Sequence, residues 1–298
     1  MRFARIYVLL FVFLFSVSGC LPQGSQTELA REAAVYLQKG EKARTLDTLV
    51  QAMQANGPGP GEDALRECWW DALTDISGIP AEQLTEDECR GLSALAYLMS
   101  FTDCCLSPRE LSKDNLLLPL EIYYGMSMWM PLYMRPGWDT LPFYEAYPPD
   151  VMNTEQSYCT MSAQKADAFI RQVTGMGIPD LNGEGEFCGG AIICRDGDYL
   201  IREQDILLPD LLVSAYRYLG DGLFDVTFDG DDYGTPDPEE SHIGIVPDSM
   251  RLIVRRSDSA WGFTVVAKVS GVYAEALPSE IHAIEDVTRI ENKSLKGA

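Results

Sequence analysis

Histidines and carboxylates are the side chains in this sequence that could perform acid–base chemistry. The sequence has two histidines, His242 and His282, and neither lies beside a G-x-S-x-G or H-E-x-x-H motif. Carboxylates are abundant, with 45 acidic residues, so that chance spacing accounts for any one pair of them. A glycosidase pair therefore cannot be recognised from spacing alone. The sequence identifies no catalytic residue.

One acidic loop begins like a calcium-binding loop. Asp180, Asn182 and Glu184 place oxygen atoms at the first, third and fifth positions, and a glycine follows at the sixth. The twelfth position, where EF-hand loops have a bidentate glutamate, is Ala191. These residues predict a weak calcium site, with a solvated loop as the alternative. A second acidic loop, residues 229–240, is typical of a solvated extension of a hairpin.

The stretch from residue 123 to 149 combines aromatic rings, methionines and five prolines. Prolines are incompatible with a long helix or a central strand. Three interpretations remain: an apolar connector between domains, a ligand or partner groove, and a copper(I) site at Met126, Met128 and Met130. The candidate groove residues are Trp129, Tyr133, Trp138 and Tyr144.

The first twenty residues have the order of an export signal. Arg2 and Arg5 form a basic start, residues 6–17 form an apolar core, and small residues precede Cys20. The apolar core is shorter than the roughly 20 residues that a membrane-spanning helix needs. The segment predicts a signal peptide over residues 1–19.

The run Val17-Ser18-Gly19-Cys20 resembles the lipobox of bacterial lipoproteins, a family defined by its processing rather than by its fold. The resemblance covers only this region, and Val17 stands where the lipobox prefers leucine. It implies that the chain is cut before Cys20 and that fatty acids such as palmitate are attached to this cysteine. A cleaved signal without lipid is the alternative.

Eight cysteines occur, and an exported chain meets an oxidising environment in which disulfides are stable. Cys188 and Cys194 are close enough in sequence to form a disulfide at the entrance of a hairpin. Seven cysteines remain besides Cys20. Because seven is an odd number, at least one thiol must stay free or pair with another molecule. The sequence contains no C-x-x-C, which disfavours a thioredoxin-like centre.

The chain is strongly acidic, with 45 acidic and 23 basic residues and a net charge of −22. Such a field repels phosphates, and nucleic-acid binding relies on basic patches, so the composition argues against a nucleic-acid partner. The 46% of hydrophobic residues is too high for a disordered chain. The length of 298 residues fits two domains or one larger one.

Apolar spacing predicts four or five helices before residue 120 and a later helix that starts at Ser162 and ends at Gly175. Thr85 and Glu88 predict a capping box, and Ser107 predicts another helix start. Beyond residue 190 the apolar residues recur at every second position, as they do in a β-strand, and turn signals predict three hairpins. These turns are Asp196-Gly197, Gly220-Asp221-Gly222 and Ser257 to Ser259.

The predicted fold class is α+β: an N-terminal all-helical domain, followed by a helix packed on an antiparallel β-meander of about six strands. A helix on a curved sheet is loosely similar to nuclear-transport-factor-2-like folds, a likeness of topology that implies no function. The predicted segments are a signal peptide, a lipidated tether, a helical domain, an aromatic connector, an α+β domain and a polar tail. They span 1–19, 20–26, 27–122, 123–158, 159–275 and 276–298.

These observations predict a non-enzymatic, lipid-anchored lipoprotein of the bacterial cell envelope. It would lie outside the cytoplasm and act as a binding or envelope-assembly module. Its partners would be the membrane, through the acyl chains on Cys20, and another envelope protein. Two alternatives stay open: a carboxylate-dependent hydrolase of the cell envelope, and a calcium-binding surface lipoprotein.

Overall fold

The structure is a computed structural model that describes residues 25–55, 76–105, 107–125, 148–153, 155–202, 211–230, 249–269 and 282–283. Cys20, the four groove residues, the methionine run and His242 lie outside these ranges. The chain divides into two compact units. Unit 1 comprises residues 1–82 and 218–224, and unit 2 comprises residues 83–217 and 225–298.

Unit 1 contains a helical hairpin. Helix α1 spans Ser25–Gln38 and helix α2 spans Lys42–Gln54, and Gly40, with a φ of 75°, lies in the turn between them. Apolar side chains at helical spacing are buried on both helices, as the apolar spacing before residue 120 predicts. They include Ala30, Ala33, Leu46, Leu49 and Ala52.

The tip of a β-hairpin caps the second of these helices. Glu41 stands at the N-cap of α2 but its side chain makes no capping hydrogen bond. The backbone N–H of Ala43 donates instead to Oδ2 of Asp221, at 3.2 Å. A carboxylate is favourable here because the first N–H groups of a helix lack partners and carry positive partial charge.

Three α-helices lie in the described part of unit 2. Helix α3 spans Glu86–Met99, α4 spans Lys113–Leu120, and α5 spans Ala163–Thr174. The predicted capping box is confirmed: the N–H of Glu88 donates to Oγ1 of Thr85, and the N–H of Thr85 donates to Oε2 of Glu88. Gly175, with a φ of 71°, ends α5 as predicted.

Ser107 caps a helix start as predicted, because its hydroxyl accepts from the N–H of Arg109, but the helix is only the short 3₁₀ turn Pro108–Glu110. Leu111 then returns to an extended backbone with a ψ of 136°. The Ser112 hydroxyl caps α4 by accepting from the N–H of Asn115. Two adjacent serine caps compete in this segment, and the longer helix forms behind the second.

The strands form two five-stranded sheets. The first has the order β1-β2-β5-β4-β3, and the second has the order β10-β6-β7-β8-β9. The strands of the first sheet are β1 Val151–Asn153, β2 Tyr158–Ser162, β3 Gly185–Phe187, β4 Ile192–Arg195 and β5 Asp198–Arg202. Those of the second are β6 Leu211–Gly220, β7 Leu223–Gly230, β8 Ser249–Arg256, β9 Phe263–Val269 and β10 His282–Ala283.

The three predicted hairpins are present. At the first turn Asp196 and Gly197 have φ values of 52° and 82°, and at the second Asp221 and Gly222 have values of 53° and 72°. Two successive positive φ values are what a two-residue type I′ hairpin turn requires. Asp-Gly is favoured there because both residues tolerate the left-handed region.

The α+β fold class is confirmed, with helices, antiparallel sheets and the meander β6-β7-β8-β9. The first predicted hairpin, β4–β5, does not extend this meander, because it lies in the other sheet with β1, β2 and β3. Helices α3 and α4, which the sequence assigns to the domain 27–122, belong to unit 2 with the strands.

Helix α3 lies along the β8–β9 hairpin. Near its start, Oε1 of Glu88 contacts Nε of Arg256 at 2.8 Å. One turn further, Gly91 approaches the backbone of Trp261 so closely that a Cβ would lie 2.2 Å from the Trp261 carbonyl oxygen. Only glycine permits this distance, so Gly91 sets how near the helix comes to the hairpin.

A buried lysine binds the end of the same helix. The ammonium of Lys268, on β9, donates to the carbonyls of Met99 at 2.7 Å and Ser100 at 2.9 Å, and also to that of Thr102. The side chain is 3% exposed. A cation is favourable here because the last carbonyls of a helix lack partners and carry negative partial charge.

A second buried charge cluster connects three neighbouring strands of the second sheet. Asp225 on β7 accepts from Nε of Arg217 at 2.8 Å and from Nε of Arg251 at 2.5 Å. All three side chains are at most 5% exposed. Removing the carboxylate alone would leave two guanidinium groups buried without their counterion, which is far more costly than removing the whole cluster.

No helix within the described ranges is both long enough and apolar enough to cross a membrane.

The contact between Gly91 and Trp261 predicts that Gly91→Ala destabilises the protein. Alanine is the better helix former by about 1 kcal/mol, but its Cβ would overlap a backbone oxygen that cannot rotate away. Because such overpacking costs about 1–3 kcal/mol or more, we expect a net loss of stability in urea unfolding. Glu86→Ala, at an exposed position of the same helix, should change stability by less than about 1 kcal/mol. Equal effects of the two substitutions would contradict the close approach.

Candidate functional site

Helix α4 and the turn after it place three polar side chains against the segment from Asp180 to Gly190. We call Lys113, Asp114 and Glu121 the α4 cluster and this segment the 180–190 segment. It contains β3 and a 3₁₀ turn at Cys188–Gly190.

A proline determines how the cluster ends. Pro119 lies inside α4, where it lacks the N–H that would bond the preceding turn. The backbone continues as a π-helical turn, Glu121–Gly125, and the N–H of Glu121 is shared between the carbonyls of Leu117 and Leu118. Such turns occur often at functional sites. Here the turn holds Glu121 in the interior, with 7% of the residue exposed.

Glu121 is a buried carboxyl group whose partner is a thiol. Burial raises the pKa of Glu121 above its ordinary value of 4.5, and a hydrogen bond with the Cys188 side chain opposes that rise. A thiol is a weak hydrogen-bond donor. The carboxyl group is therefore more easily protonated than an exposed glutamate.

Cys188 occupies a left-handed turn that Asp114 holds in place. Its φ is 54°, and Gly189 and Gly190 follow with values of 64° and 92°. The N–H of Cys188 donates to Oδ1 of Asp114 at 2.7 Å, and its Sγ lies 3.4 Å from the Asp114 carbonyl oxygen. Burial, with the nearby carboxyl groups of Glu121 and Asp114, raises the pKa of the Cys188 thiol.

The predicted disulfide between Cys188 and Cys194 is not formed, and both residues are free thiols. The strand register gives the reason. Cys194 lies opposite Gly185 in the β3–β4 pair, three residues before Cys188. At about 3.3 Å per residue that offset is about 10 Å along the strand, beyond the roughly 7 Å between Cα atoms that a disulfide can bridge.

The predicted calcium loop is occupied by a lysine. The Lys113 ammonium donates to the carbonyl oxygens of Asp180 at 2.7 Å and Gly183 at 3.3 Å, and it lies 4.6 Å from the centre of the Phe187 ring. Its charge opposes a second cation at these carbonyls.

Asp180, Asn182 and Glu184 are the residues at which the sequence predicts calcium ligands. All three are exposed, and Ala191 at the twelfth position is buried. Among the residues that the structure describes, no group of three or more histidine, cysteine, aspartate or glutamate side chains could hold a metal ion. The weak calcium site stays a prediction without support from this geometry.

A tyrosine completes the polar interior of this region. The hydroxyl of Tyr199, on β5, donates to the carbonyl of Leu181 at 2.8 Å and also contacts the Cys194 side chain. Burial is the largest cause of the raised pKa values of both Tyr199 and Cys194. Both groups are therefore neutral near pH 7.

Buried thiols elsewhere in unit 2 are equally poor nucleophiles. Burial raises the pKa of Cys89 to about 11 and those of Cys105 and Cys159 to about 12. Because the thiolate is the reactive form, such cysteines are inert near neutral pH.

The pKa of the buried Lys268 amine shifts in the opposite direction from those of the thiols. Burial lowers its pKa to about 8, although Asp103 and the thiols of Cys104 and Cys105 partly offset this effect. Its three carbonyl partners account for all its hydrogen-bond donors, which favours a structural role.

The α4 cluster could not be recognised from its residue types. Glu121 is the exception, because it is a single acid within the apolar run from Leu116 to Tyr124, and such an acid is expensive to bury without a partner. Of the other candidate residues, Cys20, Trp129, Tyr133, Trp138 and Tyr144 lie outside the described ranges. His282 lies in β10, paired with Tyr216 of β6.

The chain matches no protein-family model, no curated protein and no solved structure.

The raised thiol pKa values predict a loss of stability at alkaline pH. For Cys159 the folded-state pKa of about 12 exceeds the ordinary value of 9.0. Its contribution is therefore complete below pH 9.0 and is lost as the pH rises towards 12. The loss should be about 1 kcal/mol per pH unit, measured by urea unfolding in the presence of a reductant.

Cys159→Ala removes this titration and should lower the slope of stability against pH above 9.0 by about 1 kcal/mol per pH unit. The remaining slope comes from the other buried thiols, such as Cys89 and Cys105. Cys104→Ala, at an exposed cysteine, is the matched control and should keep the slope of the wild type. Identical slopes for the wild type and Cys159→Ala would show that the buried thiol is not the cause.

Proposed function

We propose that this chain is a non-enzymatic lipoprotein of the bacterial cell envelope, anchored by lipid outside the cytoplasm, that acts as a binding or envelope-assembly module. The observation that carries the proposal is the N-terminal segment, in which a basic start, an apolar core and small residues precede Cys20. The acyl chains on Cys20 would hold the protein at the membrane, since two chains suffice for stable anchoring.

The chemistry of the described residues supports a role without catalysis. Each cysteine thiol with a shifted pKa is shifted upward by burial, away from the nucleophilic form. The buried Lys268 and Asp225 are engaged in hydrogen bonds within the fold. These groups stabilise the molecule and present no activated side chain to a substrate.

Because the folded part of the chain is strongly acidic, we expect it to be repelled by anionic lipids and to contact the membrane only through its anchor. A net charge of −22 is repelled by anionic headgroups, so the acyl chains, and not the surface of the body, would supply the attraction to the membrane. A second envelope protein is the proposed partner. Trp129, Tyr133, Trp138 and Tyr144 are the residues that we propose for its groove, because flat aromatic side chains contribute most to protein interfaces.

One observation favours the alternative of a carboxylate-dependent hydrolase. Glu121 has a raised pKa and lies close to Asp114 through their shared contact with Cys188. Two carboxyl groups in unlike environments can divide the roles of acid and base. Hydrolysis of envelope polysaccharide by the purified protein, with loss of the activity in Asp114→Asn, would favour this alternative.

The calcium-binding alternative can be tested by measuring the melting temperature of the protein at increasing calcium concentrations. A ligand that binds only the folded state raises the melting temperature as its concentration increases. Because the Lys113 ammonium already contacts the loop carbonyls, the absence of any calcium effect is the expected result.

Lipid attachment at Cys20 can be tested by metabolic labelling. When a bacterial host that processes lipoproteins grows with labelled palmitate, we expect the wild-type chain to carry the label and to fractionate with membranes. Cys20→Ser should carry no label and should no longer be cut before residue 20, because the modified thiol is the signal for processing. Mass spectrometry of the N-terminus measures both effects.

Cys104→Ser is the matched control, because it removes a different cysteine, one that is exposed in the fold, and should leave labelling and membrane association unchanged. A wild-type chain recovered from the cytosol, unlabelled and still beginning at Met1, would refute the proposed anchor.

A further inference from the structure

We propose that Asn182 is a site of spontaneous covalent modification, at which the backbone nitrogen of Gly183 displaces the side-chain amide as ammonia, and that the Lys113 contact limits the rate. The modified residue is an aspartate or an isoaspartate. The inference concerns a chemical change in the folded body. It goes beyond the proposed function and does not depend on the lipid anchor.

The first observation is the pair of residue types. Asparagine is a thermolabile residue, because its side-chain carbon Cγ lies within reach of the next backbone nitrogen. A glycine in the next position leaves that nitrogen open to approach, since glycine has no Cβ. Asn182 is exposed, and Gly183 follows it. A second such pair, Asn56-Gly57, lies outside the described ranges.

The reaction needs no reagent except water. The nitrogen of Gly183 bonds to Cγ of Asn182 and gives its proton to the solvent, while the bond from Cγ to Nδ2 breaks and Nδ2 takes up a proton and leaves as ammonia. The product is a cyclic succinimide. Water then opens one of its two ring C–N bonds. Opening at Cγ gives aspartate, and opening at the main-chain carbonyl carbon gives isoaspartate. No group is oxidised or reduced.

The fold engages this nitrogen in a hydrogen bond. The N–H of Gly183 donates to the carbonyl of Asp180 at 2.9 Å and closes a turn. The Lys113 ammonium donates to the same carbonyl at 2.7 Å and to that of Gly183 at 3.3 Å. The Tyr199 hydroxyl donates to the carbonyl of Leu181 at 2.8 Å. Because the nitrogen must leave its hydrogen bond to attack, the turn has to open first, with loss of bonds that hold it closed.

The isoaspartate product would change the contact of this turn with helix α4. In isoaspartate the main chain runs through the side-chain carbons, so the backbone of the turn gains one carbon atom. The two carbonyls that Lys113 bonds would no longer have their present spacing. A new carboxylate would also join the exposed Asp180 and Glu184 in the same segment. The modification would therefore weaken the attachment of the 180–190 segment to α4.

Peptide mapping by mass spectrometry of the full-length protein, aged in a mildly alkaline buffer, tests the proposal. Asn182 should convert, while Asn115 and Asn153 should stay intact in the same digest, because the larger Leu116 and Thr154 follow them. Unfolding in urea should raise the conversion rate of Asn182 about tenfold or more, because the hydrogen bonds of the turn are lost.

Lys113→Met tests the role of the ammonium. In the folded protein we expect it to speed the conversion of Asn182 about threefold to tenfold, because it removes two hydrogen bonds that keep the turn closed. In urea it should have no effect on the rate. Lys39→Met, which removes an exposed ammonium from unit 1, is the matched control and should convert as the wild type does.

Tyr199→Phe serves as the test if Lys113→Met does not fold. It removes the hydroxyl that bonds the Leu181 carbonyl and should also speed the conversion. Two outcomes would overturn the proposal. One is a folded wild type that converts Asn182 no faster than its other described asparagines. The other is a folded variant that lacks the tested hydrogen bonds and still converts Asn182 at the wild-type rate.

Discussion

The attachment of helix α3 to the β8–β9 hairpin is the constraint on which unit 2 depends. Three contacts of different kinds lie along one helix: an ion pair with Arg256, a backbone approach that only Gly91 permits, and the Lys268 ammonium at the last carbonyls. Cys105 then pairs with Lys268 through two backbone hydrogen bonds. The chain leaving the helix is therefore fixed to the same strand, and this arrangement positions α4 and its polar cluster behind it.

Buried polar groups in this protein bind parts of the fold to one another. Lys268 bonds a helix end, Asp225 connects three strands, and the α4 cluster binds the 180–190 segment. Within the described residues, the cysteine thiols with shifted pKa values are protonated near pH 7 for the same reason, which is burial. These buried groups act within the fold, where they stabilise helix ends, neighbouring strands and the 180–190 segment.

The parts of the fold that local chemistry determines could be predicted from the sequence. The Thr85–Glu88 capping box, the Asp-Gly turns and the Gly175 helix end each depend on a few neighbouring residues. The division of the strands between two sheets could not be predicted. Alternating apolar residues and a turn identify the two strands of a hairpin, but they do not show which other strands that hairpin pairs with. The positions of Lys268 and Glu121 depend on contacts with residues distant in the chain. The separation of Cys188 from Cys194 depends on the β3–β4 register, which their spacing in the sequence does not reveal.

Replacement of Lys268 by methionine tests the central claim, that a buried ammonium holds α3 on β9. Two effects oppose each other: the substitution removes a buried charge, which can stabilise a protein by about 1–4 kcal/mol, and it leaves three carbonyls without their donor, at about 1–3 kcal/mol each. Because the ammonium bonds all three carbonyls, we expect urea unfolding to show a loss of about 2 kcal/mol or more, with faster amide exchange at the end of α3. Unchanged or greater stability of Lys268→Met would contradict the account.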